Sequence, residues 1–452
     1  MAQSKLMQPT IRQSKKSPVI PLILFVLCLV GTVLLDHFID HGDAAFMFVM
    51  CLRLGAVFSI LAVAMNLLNG FTGLFSLGHA GFMLIGAYTY AIFTMPMHER
   101  YNVFRYYDYW RIPSFPELLG NAFGYAGTLL GMLIAIILAG LFAAIIAFLI
   151  GLPVLKFKSD YLAIATLGFA EIIRTIVQWR ALGPVTNAAN PLRQFTRIGD
   201  LFVTIGGVHI SIATLTLVIV AGVCIIIISM LVNSSYGRAF KAIREDDIAA
   251  EAMGINLFKH KQLSFCISSF FVGVGGALLA IFNGTVVAGA FSAARTYEFL
   301  LIIVLGGIGS ISGSVLAALL FVFASQWWLR GLDSGTFMGI TLGIFRPGFR
   351  LVVFAVIIML VVIFFRRGML GDKELLWHLD IERNKKRFRE LKRKIREIPQ
   401  RMRELKQRIL QGILSIPQRV RELKQKILSI PQRIRAFFKK LKSKMGAGGS
   451  DA

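Results

Sequence analysis

The sequence predicts an all-α, polytopic membrane protein of about ten transmembrane helices, followed by basic amphipathic helices at its C-terminus. Three observations carry that expectation. Hydrophobic residues make up 56% of the 452 positions and charged residues only 16%, against about 25% charged in soluble globular chains. The mean hydropathy is +0.69. Apolar runs recur at lengths of roughly 20 residues, which a helix needs to cross a bilayer core with its backbone hydrogen bonds satisfied.

By that criterion spans fall at 18–36, 44–68, 72–95, 126–152, 161–178, 210–232, 263–283, 297–309, 313–329 and 350–365. Lys15 and Lys16 precede the first run, but Asp36, His37 and Phe38 follow it where a cleavage site would carry small residues. It therefore reads as an uncleaved span. The eighth and ninth runs are short and separated only by Gly-Ser-Ile-Ser-Gly, so they read as two spans or as a re-entrant hairpin. Cations set the orientation. Lys5 to Lys16, Lys156 and Lys158, and Arg238 to Lys261 all fall on one side of a ten-span chain, with the basic tail. The acidic 36–43 loop falls on the other. Both termini are thereby predicted cytoplasmic. The loops at 96–125 and 179–209 lie outside, with room for short interfacial helices, and the Tyr101–Trp110 aromatics suit a headgroup layer.

The chain divides into a cytoplasmic N-terminal tail (1–17), a membrane body (18–366) with a cytoplasmic loop at 233–262, and a basic tail (367–452). Cys28, Cys51, Cys224 and Cys266 sit in or beside apolar runs without CxxC spacing, which argues against a disulfide framework or a zinc site. No GxxxxGK[ST] motif is present, so a partner or an ion gradient must supply any energy. No metal-ligand spacing and no nucleophile arrangement stands out, and neither catalytic nor metal-binding residues are assigned. Gly127–Gly131 and Gly309–Gly313 both read GxxxG, a pattern that lets helix backbones approach.

Ionisable residues at membrane depth are candidates for function because burying them is costly. Glu171 and Arg174 lie three apart on one helix, close enough to neutralise each other. Arg53 falls midway along its span and requires an acidic or carbonyl partner. Leu68–Phe93 is interrupted by Gly70, Gly73, Gly78, Gly81 and Gly86 together with Ser76 and His79. Such a segment either opens backbone groups to a polar cavity or packs tightly. Ser235–Phe265 is charged and rich in helix formers, with Ala249, Ala250, Ala252 and Met253 running up to Gly254. That small-residue surface suits insertion into a groove on another protein.

These residues resemble the cytoplasmic "EAA" loop of ABC importer permeases, the coupling helix that docks in a cleft of a cytoplasmic ATPase. SLGHAGF within Leu68–Phe93, YLAIATLGFAEIIR within Tyr161–Val177 and GGIGSISGS within Val304–Leu320 resemble the branched-chain amino acid permeases of that superfamily, in particular the M-type (LivM-like) subunit. The likeness runs from about residue 20 to 366. Leu74 stands where the family commonly has Gln, and TNAANPL at 186–192 replaces a Gly-rich pattern; urea and short-chain amide importers share much of the rest. The resemblance implies a fold like that of the vitamin-B12-type importers and a bacterial inner-membrane location. It also implies a second, H-type permease, two ATPase subunits that bind ATP and Mg, and a periplasmic substrate-binding protein. Carried over by motif, Ala249, Ala250, Glu251, Ala252 and Gly254 make the coupling contact. Asn66, Asn69, Ser76, His79, Glu171 and Arg174 fall in the motifs nearest the pathway. The rival readings are an ion-coupled secondary transporter acting alone, which would need paired membrane acids or repeated halves, and a scaffold anchored through the tail.

The tail repeats itself: RELK begins at Arg389, Arg403 and Arg421, and IPQR at Ile398, Ile416 and Ile430. Prolines at helix starts, with Ile, Leu and Val on one face and cations on the other, predict short amphipathic helices. Twenty-six Lys and Arg against nine Asp and Glu from Arg366 onward favour anionic lipid headgroups as the partner. Contact with an ATPase and a solvated extension remain open. Nucleic acid is disfavoured, since only Phe388, Phe437 and Phe438 are available for stacking after the tail's start.

Overall fold

A computed structural model describes residues 43–328, except 109, 157–158, 197–201 and 206–207, with a few positions beyond (336–337, 340–341, 353, 356, 359, 368–369). The chain forms two units, Met1–His378 and Leu379–Ala452. The first expected span and the basic repeats lie outside the described residues, as does most of the tenth span.

Helix α1 (Asp43–Asn66) runs into a π-helical turn at Leu67–Phe71, and the chain is then irregular as far as α2 (His79–Thr94). The span expected at 72–95 is therefore helical only from His79. Helix α3 (Met97–Val103) is one of the short interfacial helices anticipated in the 96–125 loop. Helices α4 (Phe115–Val154) and α5 (Ser159–Gln178) follow, then a 3-10 turn at Arg180–Leu182 and α6 (Gly183–Thr186). Strands β1 (Phe202–Ile205) and β2 (Val208–Ser211) make an antiparallel hairpin that leads into α7 (Ile212–Asn233). Helices α8 (Ser235–Glu245) and α9 (Asp247–Ala252) precede the long α10 (Leu257–Asn283). Helices α11 (Ala293–Gly306) and α12 (Ile311–Phe323) are separated by a four-residue break, so the eighth and ninth spans are two helices. Seven helices among the described residues are long and apolar enough to cross a membrane, and α2 falls below that length because its first turns are unwound.

Helix α4 is 40 residues on paper, about 60 Å at 1.5 Å per residue, twice a bilayer core. The chain does not run straight. Gly124 adopts φ 62° and ψ −138°, and the backbone of Phe115–Leu119 folds back against Gly127 and Gly131. The spanning part thus starts close to the expected 126. The GxxxG pair at 127–131 receives this returning segment of its own chain. The second GxxxG works differently. Gly313 meets Gly306 across the α11–α12 crossing, while Gly309 turns the chain with φ +86°.

Helix α10 is the centre of the body, packing on α1, α2 and α4. It can do so because its contact points carry no side chain: a methyl group at Gly276 would overlap the Met83 carbonyl, and one at Gly86 would overlap the Gly273 carbonyl. Gly86→Leu is expected to yield aggregated protein in size-exclusion chromatography. Gly168→Leu, on a stretch of α5 where a Cβ meets nothing within 4 Å, is expected to elute as wild type. Leu133, Ile137, Leu141, Phe148 and Leu149 of α4 stay exposed, as befits a face turned to lipid or to another membrane subunit. Cys51 and Cys224 are buried and Cys266 is half-buried, like small apolar residues.

Arg100 was not singled out by the sequence reading, yet its side chain is buried. It donates to the carbonyls of Ile92 (2.9 Å), Met95 (3.4 Å) and Trp110 (3.0 Å), capping the last turn of α2, whose carbonyls have no helical partners.

Candidate functional site: a helix-pair tip and the broken helices behind it

Helix α8 is amphipathic, with Phe240 and Ile243 buried and Tyr236 and Arg238 on the open side. Asp246 ends α8 and starts α9. Its Oδ1 accepts from the backbone N–H groups of Ile248 (2.8 Å) and Ala249 (3.1 Å), an N-cap of about 1 kcal/mol. At the far end of α9, Gly254 takes a left-handed φ of +84° and its N–H reaches the Glu251 carbonyl at 2.9 Å. Asn256 caps α10 by accepting from the Lys259 N–H at 3.0 Å, and Asp247 pairs with Lys261 at 2.5 Å. A cap at each end and the Asp247–Lys261 ion pair thus support a six-residue helix that is too short to hold itself together.

The expected coupling residues divide between two faces. Ala250 is buried, whereas Ala249, Glu251, Ala252 and Gly254 are exposed. Beside them Ile248 is 81% and Met253 83% exposed. Two large apolar side chains thus stand uncovered at the tip of this helix pair. Ile248 was missed by the sequence reading, although its place two residues after an Asp N-cap was the available signal.

Behind the tip, the residues expected near a pathway are held inside the chain. Asn66 is fully buried at the end of α1. Its Nδ2 donates to the Ser310 carbonyl (3.0 Å) and Ser314 Oγ (2.8 Å), and its Oδ1 accepts from the Gly309 N–H (2.9 Å). Asn69 and the Ser76 backbone exchange two longer bonds, 3.2 and 3.4 Å, across the irregular segment. His79 Nε2 lies 3.2 Å from Ser268 Oγ, and that hydroxyl donates to the Ala64 carbonyl at 2.6 Å. Thr72 Oγ1 and Ser264 Oγ are 2.6 Å apart. Backbone N–H groups freed by the unwound start of α2 find hydroxyls on other helices: Leu77 reaches Thr166 at 3.0 Å and Ala80 reaches Thr296 at 3.1 Å. These serines and threonines were also missed. The Ser264/Ser268 and Ser310/Ser314 spacing of four residues, one helical face each, was their signal.

Glu171 and Arg174 pair as expected, with Arg174 Nε donating to Glu171 Oε2 at 2.7 Å. Both are partly exposed on α5, the least buried of the seven spanning candidates. Arg53 Nε donates to Thr214 Oγ1 on α7 at 2.6 Å.

Broken apolar helices around a buried polar seam, with a short helix pair presenting an apolar tip, define a multi-helix membrane-protein body. The profile of the family described as "Branched-chain amino acid transport system / permease component" matches residues 47–363, and the chain belongs to that family. It is 32% identical over 291 residues to the high-affinity branched-chain amino acid transport system permease protein LivM of Salmonella typhimurium, covering 60% of this chain and 61% of that one. The Escherichia coli LivM gives 32% over 294 residues with the same coverage. The guanosine ABC transporter permease protein NupQ of Bacillus subtilis is 24% identical over 215 residues, 46% of this chain and 59% of that one. The chain thus spans about three fifths of the length of the curated relatives it matches. No solved structure matches.

Proposed function

We propose that the chain is the transmembrane permease subunit of an ATP-driven importer for branched-chain or related amino acids. The observation that carries this reading is the α9 tip, where Ile248 and Met253 stand exposed on a short helix capped at both ends. A separate ATPase subunit seats there, on the surface of Ala249, Glu251, Ala252 and Gly254, with Ala250 supporting it from within. ATP and Mg bind to that partner. A second, H-type permease completes the pathway, a periplasmic binding protein delivers the substrate, and the inner membrane holds both termini on its cytoplasmic side. The wall contributed by this chain is α5 with its Glu171–Arg174 pair. Asn66, Asn69, Ser76 and His79 act behind it by setting where the helices break. Residues 18–366 form this body, and the basic 367–452 tail rests on anionic headgroups.

Uptake of labelled leucine into vesicles holding the complete assembly tests the reading. It is expected to need internal ATP, to survive collapse of proton and sodium gradients, and to be competed by isoleucine and valine. Gradient dependence would replace the importer with an ion-coupled carrier. Competition by urea or guanosine, with isoleucine inert, would keep the ABC mechanism and change the substrate.

A further inference from the structure

Helix α8 does more than carry α9. One side of it lies against the π-turn that ends α1. Arg244 Nη1 donates to the Gly70 carbonyl at 2.8 Å, in the π-turn that ends α1. Three residues earlier, Lys241 Nζ stands 5.5 Å over the Phe71 ring. Gly73, at φ +76°, lets the α8 backbone come so near that a methyl group there would lie 3.2 Å from Arg244 Cα. The second break, between α11 and α12, touches the same guanidinium: a methyl group at Gly309 would sit 2.8 Å from Arg244 Nη1. Asn66 ties the two breaks to each other through Gly309, Ser310 and Ser314.

We propose that Arg244 is the positioning residue that passes movement of the α8–α9 pair into the membrane body, by gripping the backbone breaks at Gly70–Gly73 and Gly307–Ser310 together. The proposal rests on the importer reading given above. Apolar contacts such as those of Phe240 and Ile243 are non-directional and can slide or repack. A guanidinium bonded to a carbonyl is directional, so displacing α8 either drags Gly70 with it or breaks the bond. Arg244 also stands at the C-terminal ends of α1 and α11, where unpaired carbonyls and the helix dipole both favour a cation. Because α1 and α11–α12 are joined at Asn66, a pull on one break moves both. Lysine could keep the charge but not the planar guanidinium, whose Nη1 reaches Gly70 and lies against Gly309 while Nη2 pairs with Glu245 at 3.2 Å.

The test uses the complete importer in proteoliposomes, with wild type, Arg244→Ala and Arg244→Lys compared for labelled leucine uptake and ATP hydrolysis. Expected for Arg244→Ala are co-purifying ATPase subunits, near wild-type basal hydrolysis, and lost stimulation by leucine-loaded binding protein. Uptake per ATP should fall about tenfold or more, the size of losing one charge-assisted hydrogen bond. Arg244→Lys is expected to recover part of that ratio. A wild-type ratio in Arg244→Ala overturns the proposal. So does loss of the ATPases, which would make Arg244 a docking residue. If Arg244→Ala aggregates, Arg244→Gln replaces it, and collapse of all three variants assigns the residue to fold stability instead. A wild-type protein that binds no ATPase, or takes up leucine without ATP, defeats the importer reading itself and is told apart by needing no variant.

Discussion

The Ile248→Asp, Met253→Asp double variant is expected to fold normally and to lose its ATPase partners on purification in mild detergent. Both side chains are more than four-fifths exposed, so the folded chain gains little from them and should keep its elution volume and thermal midpoint. In a docked state both would be covered. Burying a side chain of that size is worth about 1.5–3 kcal/mol, so the pair accounts for roughly a hundredfold or more in affinity. Two carboxylates forced into the same apolar cleft would weaken it further. Mass spectrometry of the co-purified chains reads the result. ATPases retained at wild-type level would mean that docking happens elsewhere.

Replacing Asn66 with leucine is expected to be the most damaging single change of a polar residue in the body. The branched shape is kept, with bulkier methyl groups, but two donated bonds and one accepted bond disappear from a fully buried position. Ser314 Oγ still donates to the Ser310 carbonyl at 2.9 Å, so the group left stranded is the Gly309 N–H. One such orphan costs about 1–3 kcal/mol, and the thermal midpoint should fall by roughly 2–10 °C. Asn69→Leu is the comparison. Its bonds are longer and the residue is only half-buried, so its midpoint should move less than half as far. Equal shifts for the two would show that the clamp on the 307–310 turn contributes nothing special.

How much of this was legible in the sequence follows from the range of each interaction. Spans were readable because hydropathy is a local property, and even the true start of the fourth, just past Gly124, was placed better by apolar content than by the continuous helix at 115–154. Glu171 and Arg174 were readable because a spacing of three on a helix is also an address in space. The charged, Ala-rich 235–265 segment stood out through composition, but not which way it faced: that Ala250 turns inward and Ile248 outward depends on where Asp246 starts the helix. Asn66 illustrates the opposite limit, since its partners lie more than 240 residues away and nothing local announces them. Arg100 was hidden because the backbone carbonyls it donates to occur at every position and so leave no mark in a sequence. The β1–β2 hairpin, by contrast, carried a readable signal that was passed over: two β-branched, alternating runs joined by Gly206-Gly207.

The capping of the α9 tip has a consequence for the chain before it meets its partners. A flexible loop could fold its isoleucine and methionine away while waiting, whereas a helix capped at both ends keeps them on display. If the ATPase seats on this tip, a newly made chain carries an adhesive spot from the moment it folds, and its survival should depend on how promptly the matching chain is supplied. Made in excess, it becomes a target for the cell's clearance proteases. Half-life after a pulse label should lengthen several-fold when the ATPase is co-produced, and the Ile248→Asp, Met253→Asp chain should gain nothing from that company.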